Sequence, residues 1–194
     1  MIEQVTFEIT GISPLLMHNP ASMSKPGDKK SVSAKQIPSP EEEAEAACYR
    51  NDKGQFYMQA IAFRGSIINP GGGASGRKIG KTTANSRCAA GISINEKFDK
   101  CVLINLKTRK PLTEYKIDTR RAVVQKNGIM RSRPRLEEWA CDLVFDIDTD
   151  FVTIEQVVEL LNISGRIAGV GDYRPQKKGW FGKYKAELKT SGKK

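Results

Sequence analysis

Arg131, Arg133 and Arg135 alternate with Ser132 and Pro134. In an extended strand their guanidinium groups would leave one side at intervals of about 6.5–7 Å, close to the spacing of phosphates along one nucleic-acid strand. Arg120 and Arg121 precede them across Lys126-Asn127-Gly128, and Asn-Gly between apolar runs reads as a hairpin turn. Residues 164–184, SGRIAGVGDYRPQKKGWFGKY, place Arg174, Lys177, Lys178 and Lys183 beside Tyr173, Trp180 and Tyr184. Gly169, Gly171, Gly179 and Gly182 among them permit positive φ or close backbone approach. Bare backbone N–H groups, cations and flat rings suit a ligand made of phosphates and bases, and rings suit unpaired bases better than a duplex groove. The same residues also allow a plainer reading: a glycine-rich turn that docks the last strand, Trp180 and Phe181 in the core, and the arginines paired with Glu137, Glu138 or another subunit.

Other chemistries find little support. Gly80-Lys81-Thr82 resembles the tail of a phosphate-binding P-loop, but the first glycine of that motif falls on Ser75, and a helical stretch and Pro70 precede it where a strand is required. His18 is the sole histidine, in a polar tract with no adjacent Cys or carboxylate, and reads as solvent-exposed filler, not a general base. Asp142, Asp146 and Asp148 share one face of a strand pattern and read as its wet side, with no hard-metal loop around them. Cys48, Cys88, Cys101 and Cys141 are widely spaced, without a CxxC pair, and read as small buried apolar residues. Neither a metal, a cofactor nor an enzymatic activity is expected.

The net charge of +10 over 194 residues favours polyanionic partners. No run of eighteen apolar residues exists, and residues 1–10 alternate with Glu in place of a basic-then-apolar leader, so a cytoplasmic protein without membrane contact is expected. Charge is also segregated: residues 107–135 carry about +8, residues 137–164 about −8 and residues 166–194 about +7. Such asymmetry favours head-to-tail contact between copies, a homo-oligomeric filament or ring, against the alternative that it serves solubility alone.

The elements that must position these residues follow from periodicity. Residues 2–10 alternate as a first strand with one wet face, and residues 15–17 pack back onto the core. A proline-, serine- and lysine-rich tract at 18–40 has no period and reads as a flexible loop. Ser39-Pro40 before Glu41, Glu42 and Glu43 starts a helix, residues 55–59 read as a strand, and residues 60–69 as a second helical stretch with Ile61, Phe63 and Ile67 or Ile68 inward. Residues 71–87 are glycine-rich, cationic and flexible by composition. Residues 89–95 and 101–106 are strand-like, residues 107–135 form a basic hairpin insertion, and 139–147 alternate as a strand. Residues 153–168 carry Ile154, Val157, Val158, Leu161 and Ile167 at helical spacing, residues 183–189 form the last strand, and 190–194 are a tail. The expectation is one α+β domain over residues 1–194 with a ferredoxin-like (RRM-like) β-α-β-β-α-β core.

A helix followed by Gly169-Val170-Gly171, a basic segment and then Gly179-Trp180-Phe181-Gly182-Lys183-Tyr184 resembles the C-terminal glycine-rich loop of the RAMP proteins of CRISPR systems. The first strand ending in Gly11-Ile12-Ser13-Pro14-Leu15, the element order and the hairpin are most similar to the Cas7 backbone subunits; the overall pattern is similar as well to small phage and prophage proteins. The Cas7 resemblance implies a protein that coats a guide RNA as a helical filament, with residues 122–135 as a thumb and residues 71–87 facing the nucleic acid. Histidine-dependent cleavage, as in the Cas6 branch, is not implied, because His18 stands alone. Asp28 lies in a loop comparable to the one that carries an aspartate in target-cleaving relatives, but no aligned motif transfers that role. The residues expected to hold single-stranded RNA or DNA are Arg77, Lys78, Lys81, Arg120, Arg121, Lys126, Arg131, Arg133, Arg135, Arg166, Gly169, Gly171, Tyr173, Arg174, Lys177, Lys178, Trp180 and Lys183. A phage assembly protein that stacks without nucleic acid, and a recombination protein that anneals single-stranded DNA, remain as alternatives.

Overall fold

The first strand, β1 (Ile2–Gly11), buries Val5, Phe7 and Ile9 and turns the residues between them outward, as a strand with one wet face must. In the computed structural model, which describes residues 1–20, 38–124 and 127–189, this strand is central to the largest sheet. Its neighbours are β12 (Tyr184–Leu188) on one side and β11 (Trp139–Asp148) on the other; beyond β11 lies β6 (Ile92–Ser93), with β8 (Ile104–Asn105) continuing that edge. Every pairing is antiparallel. Because β11 and β12 both run against β1, the helix that joins them, α4 (Ile154–Ile167), completes a β-α-β unit split by β1.

That helix is well specified. Thr153 and Gln156 form a capping box at its start, and Val157, Leu160 and Leu161 are buried beneath it. Gly165 lies against β12 so closely that a Cβ there would overlap the Tyr184 carbonyl. The helix α2 (Ala60–Ile68) has no side-chain cap and is held by burial of Phe63 and Ile67 and by a Ser66 Oγ to Tyr184 Oη hydrogen bond of 2.7 Å. The Tyr184 ring is thus core, edge-on to Phe63 at 5.4 Å, and not part of an open aromatic surface. Ile61 and Ile167, both expected to point inward, are 49% and 48% exposed.

After β1 the chain crosses at once to a second sheet, in which β2 (Leu15–Leu16) pairs with β10 (Asn127–Leu136) and β10 with β9 (Lys116–Val124). The helix α1 (Pro40–Ala46), started by a Ser39–Glu42 capping box, packs on this hairpin. Smaller pairs complete the architecture: β3 (Tyr57–Gln59) with β7 (Lys100–Val102), and β4 (Lys78–Ile79) with β5 (Thr82–Thr83) ahead of α3 (Ala84–Gly91). The chain is therefore α+β, with antiparallel sheets and four α-helices among the described residues.

Several sequence expectations change. Residues 57–59 leave the main sheet and pair with β7. Residues 71–87 hold a β4–β5 turn and the start of α3, so Gly80-Lys81 is the two-residue connection of a hairpin, with Gly80 at φ 61°. Residues 89–91 are helical, Gly91 fitting against Val152 and Phe151, and only Ile92–Ser93 pairs as strand. The basic hairpin forms, but Asn127 pairs with Val124 and Gly128 with Val123, which moves the connection to residues 125–126. Those two, Lys126 among them, the tract 21–37 with Asp28, and the tail 190–194 lie outside the described residues. All four cysteines are free and buried; burial pushes the Cys48 thiol up to about 12 and the Cys88 thiol to about 11. No helix among the described residues is long and apolar enough to cross a membrane.

Candidate nucleic-acid interface

The hairpin register decides where its arginines point. Arg131 faces Arg120, Arg133 faces Asp118 and Arg135 faces Lys116, and residues directly opposed in an antiparallel pair share a face. The alternation therefore gathers Arg120, Arg131, Arg133 and Arg135 on one side, as the spacing predicts, but with carboxylates among them. Arg131 Nη1 donates to Glu43 Oε1 at 3.0 Å, while the other Glu43 oxygen accepts the Ser132 N–H at 2.8 Å. Arg133 pairs with Asp172 of the glycine-rich loop. Asp118, only 7% exposed, takes two hydrogen bonds from Arg120, at 2.5 and 3.0 Å, and lies 3.5 Å from Arg135, which also donates to Glu137 at 3.1 Å. The row is held by in-chain carboxylates and presents no unpaired ladder of phosphate ligands.

The glycine-rich loop is built the same way, by internal satisfaction. Val170 N–H donates to the Gly182 carbonyl, Asp172 N–H to Leu16, Phe181 N–H to Tyr173 and Gly182 N–H to Pro14; Lys183 N–H donates to Ser13 Oγ at 3.0 Å. These backbone donors are engaged with the chain itself, so they form no phosphate cradle. The glycines answer to packing: a Cβ on Gly179 would overlap the Tyr173 carbonyl, one on Gly182 the Val170 carbonyl, and one on Gly171 would stand 2.5 Å from the Leu16 carbonyl oxygen. The Gly11-to-Leu15 segment and the GWFGKY segment, far apart in sequence, are thereby fastened together, with Trp139 Nε1 donating to Ser13 O at 2.9 Å.

What remains open on this loop is aromatic and cationic. Phe181 is fully buried, Trp180 stacks on it at 4.1 Å between ring centres, and the Tyr173 ring lies tilted to it at 6.2 Å. Trp180 and Tyr173 are 45% and 42% exposed. The Arg120 guanidinium carbon lies 4.8 Å from the Phe181 ring centre and 5.8 Å from that of Trp180. Held by Asp118, it extends the ring surface as a flat cation. Lys177 and Lys178 are exposed on the 3-10 turn beside these rings, with Lys183 half-buried nearby in sequence; none of the three has an ion pair among the described residues. Tyr173 and Lys178 hold positive φ, 47° and 62°, a conformation that costs a side-chain-bearing residue free energy.

Other expected ligands fall elsewhere. Arg174 is turned back, donating to Gly171 O at 2.9 Å and to Gln176 Oε1 at 3.0 and 3.2 Å. Gly169 is buried, its Cβ position 2.8 Å from Pro175. Arg166 is exposed in the last turn of α4. Arg121 projects from the other hairpin face, across Gly128. Arg77, Lys78 and Lys81 are exposed around the β4–β5 turn, Arg77 Nε donating to Gly73 O at 3.0 Å.

One feature escaped the sequence reading. His18 is half-buried at the edge of a cavity of about 290 Å³, lined also by Met58, Ile61, Asn69, Gly171 and Asp172. Burial pushes its imidazole below the ordinary histidine range, with Asp172 opposing. The signal was present in Leu15-Leu16-Met17, which are fully buried and draw the next residue to the core's margin.

No protein-family model matches the sequence, and no curated protein matches it. Among solved structures, the chain is similar to that of Cmr6 from Pyrococcus furiosus, at 11% identity and a TM-score of 0.48, over 96% of this chain and 99% of that one.

Proposed function

We propose that this chain binds single-stranded RNA or DNA without catalysing its reaction, on the surface formed by Trp180, Tyr173 and Arg120, and that copies associate along the strand as its Cas7-like motifs imply. The observation that carries the reading is the pair of exposed rings, Trp180 and Tyr173, on the buried Phe181. Rings fixed from beneath and open above stack on successive bases irrespective of sequence, and neighbouring cations follow the phosphates. Trp180 and Phe181 also divide the two roles that the sequence left open, one ring exposed and one core. The order β12–β1–β11–β6 and the β-α-β unit split by β1 support a ferredoxin-like core beneath this surface.

The test is fluorescence anisotropy on nuclease-treated protein with labelled single-stranded RNA, single-stranded DNA and duplex DNA, between 50 and 200 mM salt. Single strands bind in preference to duplex, and Trp180→Ala weakens them about tenfold or more, from the ~1–3 kcal/mol of a base–ring stack. Absence of strand binding, or a Trp180→Ala protein that binds as tightly as the parent, overturns the reading. Sedimentation with and without strand tests the association of copies.

A further inference from the structure

The cavity beside His18 has a chemistry of its own. At about 290 Å³ it sits at the small end of ligand sites, roughly 300–1,000 Å³, so it suits a fragment and not a whole nucleotide. Met58, Ile61 and Val170 give it apolar walls. Its charged groups are already engaged: Arg174 with Gly171 O and Gln176 Oε1, Asp172 with Arg133 and the Tyr173 N–H. Two neutral polar groups are not. The Asn69 side-chain amide, on an exposed residue at the cavity rim, has no protein hydrogen-bond partner among the described residues, and Gly65 leaves room for it, since a Cβ there would stand 3.0 Å from Asn69 Nδ2. His18 Nδ1 is buried without a partner. At His18 Nδ1 a buried nitrogen left without a partner costs free energy that a bound partner recovers, while the Asn69 amide exchanges water for the partner.

We infer that this cavity takes one unstacked base of the bound single strand, its flat faces against Met58 and Ile61 and its edge on the Asn69 amide, with His18 at the margin. The inference rests on the strand-binding reading above and names where sequence preference enters it. A phosphate is disfavoured because none of the described residues that line the cavity is an uncommitted cation, and burial favours the neutral imidazole. An amide that donates and accepts side by side matches the N6/N7 edge of adenine. The two surfaces meet in the chain: Asp172 lines the cavity and the next residue, Tyr173, carries one of the exposed rings.

Two measurements on the full chain test this. The first compares anisotropy with oligo(A), oligo(C) and oligo(U) for the parent, Asn69→Ala and Gly65→Ala; the second follows the Asn69 amide and Gly169-to-Gly171 NMR signals on adding free adenosine or uridine. Expected are tighter binding of oligo(A), a loss of that preference of about tenfold in Asn69→Ala, a smaller loss in Gly65→Ala, and shifts with adenosine. Gly65→Ala favours the helix, so its loss of preference is not a loss of fold. Strands that bind with no base preference, or with a preference that Asn69→Ala leaves intact, overturn the inference while the binding function stands. No strand binding overturns the function; adenosine shifts would then keep the cavity as a base site, and their absence would remove that too.

Discussion

Asp118 holds Arg120 by two hydrogen bonds, 2.5 and 3.0 Å long, so that the guanidinium carbon rests 4.8 Å from the centre of the Phe181 ring. The carboxylate is 7% exposed and also faces Arg135 at 3.5 Å. A buried acid between two arginines of the hairpin holds both guanidinium groups over the Phe181 ring of the glycine-rich loop, Arg135 at 5.6 Å from its centre, because either cation left alone would have to find water or another partner.

Asp118→Asn keeps the shape and removes the charge. Loss of a fully buried pair costs about 3–5 kcal/mol, but Arg120 and Arg135 keep 35% and 26% of their side-chain surface, and solvent reduces the effect to about 1–2 kcal/mol. The melting temperature should fall by about 2–8 °C. An unchanged melting curve would mean that the charge of this carboxylate does not hold the two arginines in place.

Gly182 and Gly54 separate two causes of glycine dependence. Both hold positive φ, 64° and 72°, but a Cβ on Gly182 would overlap the Val170 carbonyl while one on Gly54 meets nothing within 4 Å. Gly54→Ala therefore costs only the left-handed conformation, about 1–2 kcal/mol. Gly182→Ala adds overpacking of about 1–3 kcal/mol. Thermal melts of the two proteins should differ in that order; equal losses would show that the loop yields around residue 182.

Elements with a clear period were legible from the sequence. The alternations at 2–10 and 139–147 and the helical spacing at 153–168 give β1, β11 and α4, because one buried face leaves its period in the residues. Short strands such as β6, two residues long, carry no period. The partners of the arginines were illegible for another reason: Glu43 and Arg131 meet across 88 positions, and Arg133 finds Asp172 only when the loop folds back. Charge spacing predicted a common face for these arginines but could not show what already occupied it. Tyr184 and Trp180 are both rings among lysines, and only the pairing of β12 with β1 buries the first.

The pH dependence of stability should carry a histidine signature. Burial lowers the His18 pKa from 6.5, so the folded chain binds fewer protons than the unfolded one just below that pH. Stability contributed this way is full above the unfolded value and falls as the pH drops through it, levelling below the folded value. Glu45, whose pKa is lowered chiefly by its hydrogen bonds from Arg50, loses its contribution only below about 4.5. Melting temperatures between pH 7 and 5 should therefore decline in the parent and decline less in His18→Gln. Parallel curves would place the decline on other groups.

Lys178 separates binding from stability. It caps the 3-10 turn at φ 62°, a conformation that suits glycine and costs a residue with a Cβ about 1–2 kcal/mol. Its ammonium has no ion pair among the described residues, so no ion pair offsets that cost. Lys178→Gly should raise the melting temperature by about 2–4 °C, allowing for the entropy glycine gives up on folding. If the lysine lies along a bound strand, the same change should weaken binding and reduce the slope of log affinity against log salt by about 0.7. A protein that is both more stable and a weaker, less salt-sensitive binder identifies a side chain placed for a ligand at the fold's expense. Higher stability with an unchanged salt slope would take Lys178 out of the interface and leave its positive φ as a property of the turn alone.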